Sequence, residues 1–286
     1  MAKDKDGSKY ESKDESKDES KDESKYESKD GSSSYVLEIK TVQSQAFKIL
    51  IEALKELLTD TCVEFDETGM KIVSMDTSHC VLAHLKLDAA KFEFYNCESK
   101  ITIGINMLNF YKLIRTINSN DTLTLFIESS DINHLGIKIE NGEKNSKTTY
   151  KLNLLDLDNQ KITIDNAEFN TIINLPSVDF QKICRDMNNI AENVEIKNIG
   201  NQLILSCKGD FCNQETIIVD NDNGVNTINA KKNDIVQGVF NLKYLVLFTK
   251  CTNLCSTVEL LLKNDYPLII RYMVASLGEL RWCLSF

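Results

Sequence analysis

The sequence predicts an α+β fold made of two copies of one unit, and two observations carry that expectation. Runs with the two-residue alternation of strands are interrupted by four amphipathic segments with helical spacing, in the order strand, helix, hairpin, strand, strand, helix, strands. The same order then returns, with landmarks separated by 133 residues (Phe47 and Phe180), 131 (Val63 and Val194), 135 (Ile105 and Phe240) and 134 (Leu123 and Thr257). At 286 residues and 42% hydrophobic, the chain has material for two ordinary domains of roughly 100–150 residues each.

The first copy begins near Tyr35, where VLEIKTV alternates as a strand. Ser44 then precedes a helix whose apolar positions Phe47, Leu50, Ala53, Leu54, Leu57 and Leu58 recur at the 3.6-residue period, with Lys48, Glu52 and Lys55 opposite. CVEFDETGMKIVSMD reads as a hairpin turning over 66–69, followed by a strand over 80–87. ITIGI leads into a second helix over 106–117, and TLTLFIE and LGIKIE close the copy as strands. In the second copy Phe180, Ile183, Cys184, Met187 and Ile190 mark a helix, VEIKNIGNQLILS a hairpin with Gly200 in its turn, and NQETIIVD a strand. A helix over 241–251 and the strands STVELLL and PLIIRYMV complete it.

Between the copies lies TTYKLNLLDLDNQKITIDNAE, which has no Gly or Pro and exposes too many aliphatics for a bare spacer. Its ends are expected to pair as strands while its middle offers Leu and Ile side chains to a partner. The expected boundaries are a tail over 1–34, a first domain over 35–148, a connecting loop over 149–168 and a second domain over 169–286. The tail cycles through Lys-Asp-Glu-Ser and has only Met1, Ala2, Tyr10 and Tyr26 as apolar residues, so disorder is expected there.

Net charge is -10, which on its face opposes nucleic acid as a partner. The basic residues are unevenly placed, however. Each helix carries two on its polar side: Lys48 and Lys55, Lys112 and Arg115, Lys182 and Arg185, Lys243 and Lys250. For any one pair, solvation is the ordinary reading; four of four in an acidic chain point to a basic surface that attracts phosphates without reading bases. Glu52, Glu56, Asp179 and Asp186 weaken that field. The spacings of His79, His84 and His134 and of nine cysteines without a CxxC pair match no metal site, and no cofactor is expected. No phosphate-binding loop or nucleophile motif is present, so an enzyme is not expected. No run approaches the roughly 20 apolar residues of a membrane span, so neither a membrane helix nor a signal peptide is expected.

The stretch EALKELLTDTCVEFDETGMKIVSMDTSHCVLAHLKL resembles the proliferating cell nuclear antigen family of DNA sliding clamps. So do LPSVDFQKICRDMNNI, the DLD of the connecting segment, and FNLKYLVLFTKCTNLCSTVELLLKNDYPLIIRYMVASLGELRWCL. The resemblance covers residues 35–286. It implies duplicated clamp domains with helices on one face of antiparallel sheets, closing head to tail, usually as a homotrimer, into a ring around double-stranded DNA. The eight helix cations would then face the duplex. DNA polymerase, clamp loader and PIP-box proteins are the implied partners, in the nucleus or at a cytoplasmic viral replication site.

By the same carry-over, Met75, His79, Leu82, Ile162, Ile164 and Pro267 stand at the partner-peptide groove. Cys283 replaces a groove tyrosine and Asp165 a linker proline, which bears on partner preference. Lys147, Tyr150 and Leu152 of one copy are expected to meet Thr216 and Ile218 of another along two unpaired strand edges. The alternative is a clamp-fold scaffold, or a heteromeric or monomeric paralogue, that binds proteins without encircling DNA.

Overall fold

In the computed structural model, residues 34–158, 162, 167–169, 171–220, 226–230 and 235–285 are described. The tail up to residue 33, and with it most of the disorder expectation, lies outside them. The first copy runs β1 Tyr35–Thr41, α1 Ser44–Leu54, β2 Asp60–Asp66, β3 Gly69–Met75, β4 Val81–Asp88, β5 Phe94–Cys97, β6 Ile101–Asn106, α2 Met107–Ile114, β7 Asp121–Glu128, β8 Asp131–Asn141 and β9 Ser146–Asn153. The second runs β10 Thr171–Pro176, α3 Ser177–Asn188, β11 Asn193–Ile199, β12 Gln202–Lys208, β13 Asn213–Val219, β14 Thr227–Ala230, β15 Ile235–Asn241, α4 Leu242–Phe248, a 3-10 segment Thr249–Leu254, β16 Thr257–Leu262, β17 Leu268–Val274 and β18 Gly278–Leu284.

Strand order repeats without exception. The first copy orders β5-β1-β7-β8-β9 and β4-β3-β2-β6; the second orders β14-β10-β16-β17-β18 and β13-β12-β11-β15, all antiparallel. The copies are then fused: β18 pairs with β4 from Gly278 opposite Leu87 to Leu284 opposite Val81, so one nine-stranded sheet crosses the middle of the chain. The two expected glycine turns are real. Gly69 (φ 141°) lies where a Cβ would sit 1.9 Å from the Leu87 carbonyl, and Gly200 has φ 57°, the left-handed region glycine enters without penalty.

Each sheet buries one face beneath the helices, because alternate residues of every strand point inward. Val81, Ala83, Leu85 and Leu87 of β4 and Leu280, Trp282 and Leu284 of β18 are all buried. Phe47 meets Phe110 edge-on at 6.3 Å between α1 and α2, and Phe248 stacks on Trp282 at 5.1 Å. Side-chain oxygens of Asn106 and Asn241 cap α2 and α4, accepting from Asn109 N at 2.9 Å and Lys243 N at 3.0 Å. The ends of α1 and α3 also match bond for bond: Glu56 N to Ala53 O and Asn189 N to Asp186 O, both 3.3 Å. α1 packs on α2, α3 on α4, and α1 also on the 3-10 segment, which makes one continuous helical layer.

Several boundaries differ from the sequence expectation. β5 and β14 are four-residue edge strands with no readable alternation. α4 ends at Phe248 and tightens into the 3-10 segment, which removes Lys250 from the α-helix. The pairings β1·β7 and β10·β16 make Val258, not Thr257, the counterpart of Leu123. β9 continues to Asn153, so the connecting loop proper starts at Leu154. It docks at once on β6: Leu155 N donates to Gly104 O at 2.8 Å, and a Cβ on Gly104 would lie 2.3 Å from Leu155 O and 2.8 Å from Leu157 Cγ. Only glycine leaves room for that approach.

Candidate functional site

The helix layer presents its cations unequally. Lys112, Arg115, Lys182, Arg185 and Lys243 are exposed, and no carboxylate forms an ion pair with them among the described residues. Lys112 Nζ has only Asn109 Oδ1, at 3.4 Å. The other three are engaged internally. Lys48 Nζ donates to Ile117 O at 2.8 Å. Lys55 pairs with the Glu56 carboxylate and lies 4.9 Å above the Tyr111 ring, and Lys250 reaches the same carboxylate at 3.2 Å. Burial alone would raise the Glu56 pKa, but the bonds from Lys55 and Lys250 outweigh it and hold the carboxyl below its ordinary value. One anion thus offsets two of the eight cations named from the sequence. Glu56 follows α1 at the point where the 3-10 segment of the second copy packs, a neighbour that helix spacing could not reveal.

On the opposite face of the central sheet, strand register assembles an apolar row. Met75 lies opposite Leu82, Leu82 opposite Cys283, Cys283 opposite Ile269, Ile269 opposite Leu261 and Leu261 opposite Ile172. Six strands from both copies therefore contribute to one stripe that crosses the fused seam. Burial pushes the Cys283 thiol up to about 11, so it is a neutral, apolar member of the row. Ion pairs flank the stripe: Arg271 with Glu259 at 2.6 Å, Arg281 with Glu279 at 2.6 Å.

The loop bordering the stripe is locked by Asp76, 6% exposed, whose carboxylate accepts from Cys80 N at 2.9 Å, Val81 N at 2.8 Å, Ser78 N at 3.3 Å and the Ser78 hydroxyl. Burial opposes ionisation, yet those donors prevail and the Asp76 pKa is lowered. Ser78 Oγ also lies 2.7 Å from Tyr244 OH on α4, which ties the loop to the second copy. This network holds His79 exposed at φ 57°. Of the groove residues expected from the sequence, Met75, His79 and Leu82 flank or join the stripe, while Pro267, just before β17, and Ile162 are half-buried. Ile164 and Asp165 lie outside the described residues. Ile269 and Leu261 were not foreseen, because they sit in the unbroken apolar runs Leu268-Ile269-Ile270 and Leu260-Leu261-Leu262, whose parity cannot be read without the pairing.

The third feature is a pair of open edges. β9 pairs only with β8 and β13 only with β12 among the described residues, whereas the β6 edge is met by Leu155. Tyr150, Leu152, Thr216 and Ile218 are half-buried on the inward side of these edges, and Lys147 is exposed. Between β13 and α3 lies a cavity of about 370 Å³ lined by Gln214, Thr216, Ile218, Lys182, Ile183 and Asp186.

Two strand-for-strand copies fused through one sheet, a cation-bearing helix layer on one side and an apolar stripe on the other, define a duplicated α+β processivity-fold chain. The N-terminal domain of proliferating cell nuclear antigen matches residues 36–161 and its C-terminal domain matches residues 163–285. A probable DNA polymerase sliding clamp of Paramecium bursaria Chlorella virus 1 is 38% identical over 254 residues, spanning 87% of this chain and 96% of that protein. The chain belongs to the proliferating cell nuclear antigen family. No helix among the described residues is long and apolar enough to cross a membrane.

Proposed function

We propose that the chain acts, without catalysis of its own, as a DNA sliding clamp in the form of a closed homotrimer. One observation carries this reading: the internal junction and the open edges are corresponding parts of the duplicated unit. β9 stands to β8 as β18 to β17, and β13 stands to β12 as β4 to β3. Transferring the β18·β4 register to β9 and β13 of two copies sets Ser146 opposite Thr216, Lys147 opposite Glu215 and Thr148 opposite Gln214. The contact is heterologous, so repetition closes a ring or grows a filament. A ring of three turns the helix layer inward, where Lys112, Arg115, Lys182, Arg185 and Lys243 meet the phosphates of duplex DNA of any sequence.

The outer stripe, bordered by the Asp76 loop, accepts a short segment of a DNA polymerase, a clamp loader or another PIP-box protein, with apolar anchors seated over Met75, Leu82 and Cys283. The site of action is the nucleus or a viral replication site. The test is topological. The protein should elute at three times the 32.5 kDa chain mass, stay on nicked circular DNA in salt, and leave when the circle is cut. A 32.5 kDa particle, or retention indifferent to linearisation, would defeat the reading.

A further inference from the structure

The internal junction and the open edges occupy corresponding places but differ in chemistry. On α1, Leu50 and Ala53 are 0% and 1% exposed because the second copy covers them; on α3 the same positions are Ile183, half-buried, and Asp186, exposed. On the second copy's side of the junction, Phe248, Cys251 and Trp282 are all 0% exposed; their counterparts Leu113, Thr116 and Tyr150 are half-buried or exposed. Across the internal junction Lys250 pairs with Glu56 at 3.2 Å. At the open edges those two positions hold Arg115 and Asn189, and the nearest acid on α3 itself is Asp186, one helical turn before Asn189.

Resting on the ring reading, we infer that adjoining copies are latched by an ion pair between Arg115 at the end of α2 in one and Asp186 on α3 in the next. Other charges along the edges follow the same polarity. Lys112 and Lys147 lie on the α2 and β9 side; Asp179 and Glu215 lie on the α3 and β13 side, with Lys182 and Arg185 between the two aspartates as the exceptions. Arg115 has no ion-pair partner within its own chain among the described residues, although Glu56 supplies one to Lys250. The arginine counted toward DNA thus also serves closure, and the junction between copies depends on salt more than the internal one, whose buried face is apolar beside the pair of Lys250 with Glu56.

Charge reversal tests this on the full-length chain, followed by light scattering across protein concentration. R115E and D186R should each raise the concentration at which half the trimer dissociates by at least about tenfold, since like charges then face each other, and the double variant should return it to within about threefold. Raising salt from about 0.1 to 0.5 M should shift the wild-type midpoint in the same direction. A wild-type trimer whose midpoint ignores both single reversals and salt would overturn the latch and leave the ring standing. A wild-type chain that stays at 32.5 kDa at every concentration would overturn the ring itself.

Discussion

The face of α1 that carries Ala46, Ile49, Leu50 and Ala53 and the face of α3 that carries Asp179, Lys182, Ile183 and Asp186 are the same surface of one duplicated unit, written once for permanent burial and once for solvent. The helical backbone is alike over these positions; both helices start at a buried serine and end on the same bonds. What differs is whether the covering element is covalently attached. A face that is never uncovered can be wholly apolar, whereas one exposed between encounters has to stay soluble and so keeps charges.

The largest test of that contrast is Trp282→Ala, which empties the centre of the internal junction beneath Phe248 and should cost about 3–5 kcal/mol in urea unfolding. Its counterpart Tyr150→Ala should cost the isolated chain less than about 1 kcal/mol. Equal losses would mean the two places are not equivalent. Next, Ala53→Asp writes the α3 chemistry into the buried junction and should destabilise by roughly 2–4 kcal/mol, while Asp186→Ala stays within about 0.5 kcal/mol in the same measurement.

Asp76→Asn should cost about 1–3 kcal/mol by loosening the loop shared with Tyr244. Because the folded-state pKa of Asp76 is lowered, its contribution is present above the ordinary carboxylate range and fades as pH falls through and below about 4; the variant should flatten that part of the stability curve. Glu56→Gln should cost under about 1 kcal/mol by thermal melting, since the pairs it breaks are partly solvated. Freed from Glu56, Lys55 and Lys250 should steepen the salt dependence of DNA retention by up to about two phosphate contacts. An unchanged slope would place them away from the duplex.

The duplication was legible because the buried aromatics and glycine turns recur at nearly fixed spacing: Phe47 with Phe180, Gly69 with Gly200. Helix existence followed from amphipathic period, but the end of α4 did not, since nothing in FTKCTNL marks the change to 3-10 geometry. The fused sheet was illegible for a different reason. GELRWCL and VLAHLKL alternate as strands with any partner, and which edges meet is decided by packing of the whole chain. The same long-range information hid the outer stripe and the contact that brings Glu56 to Lys250. Charge on a helix could be read from spacing, but whether that charge was already spent could not.

The junction of β18 with β4 makes each chain one stiff piece, with seven backbone-paired positions where a hinge would otherwise lie. The proposed ring, if built from such pieces, cannot yield within a piece. Any machine that threads it onto an unbroken strand must pry at the places where separate molecules touch, and the number of possible gates equals the number of chains.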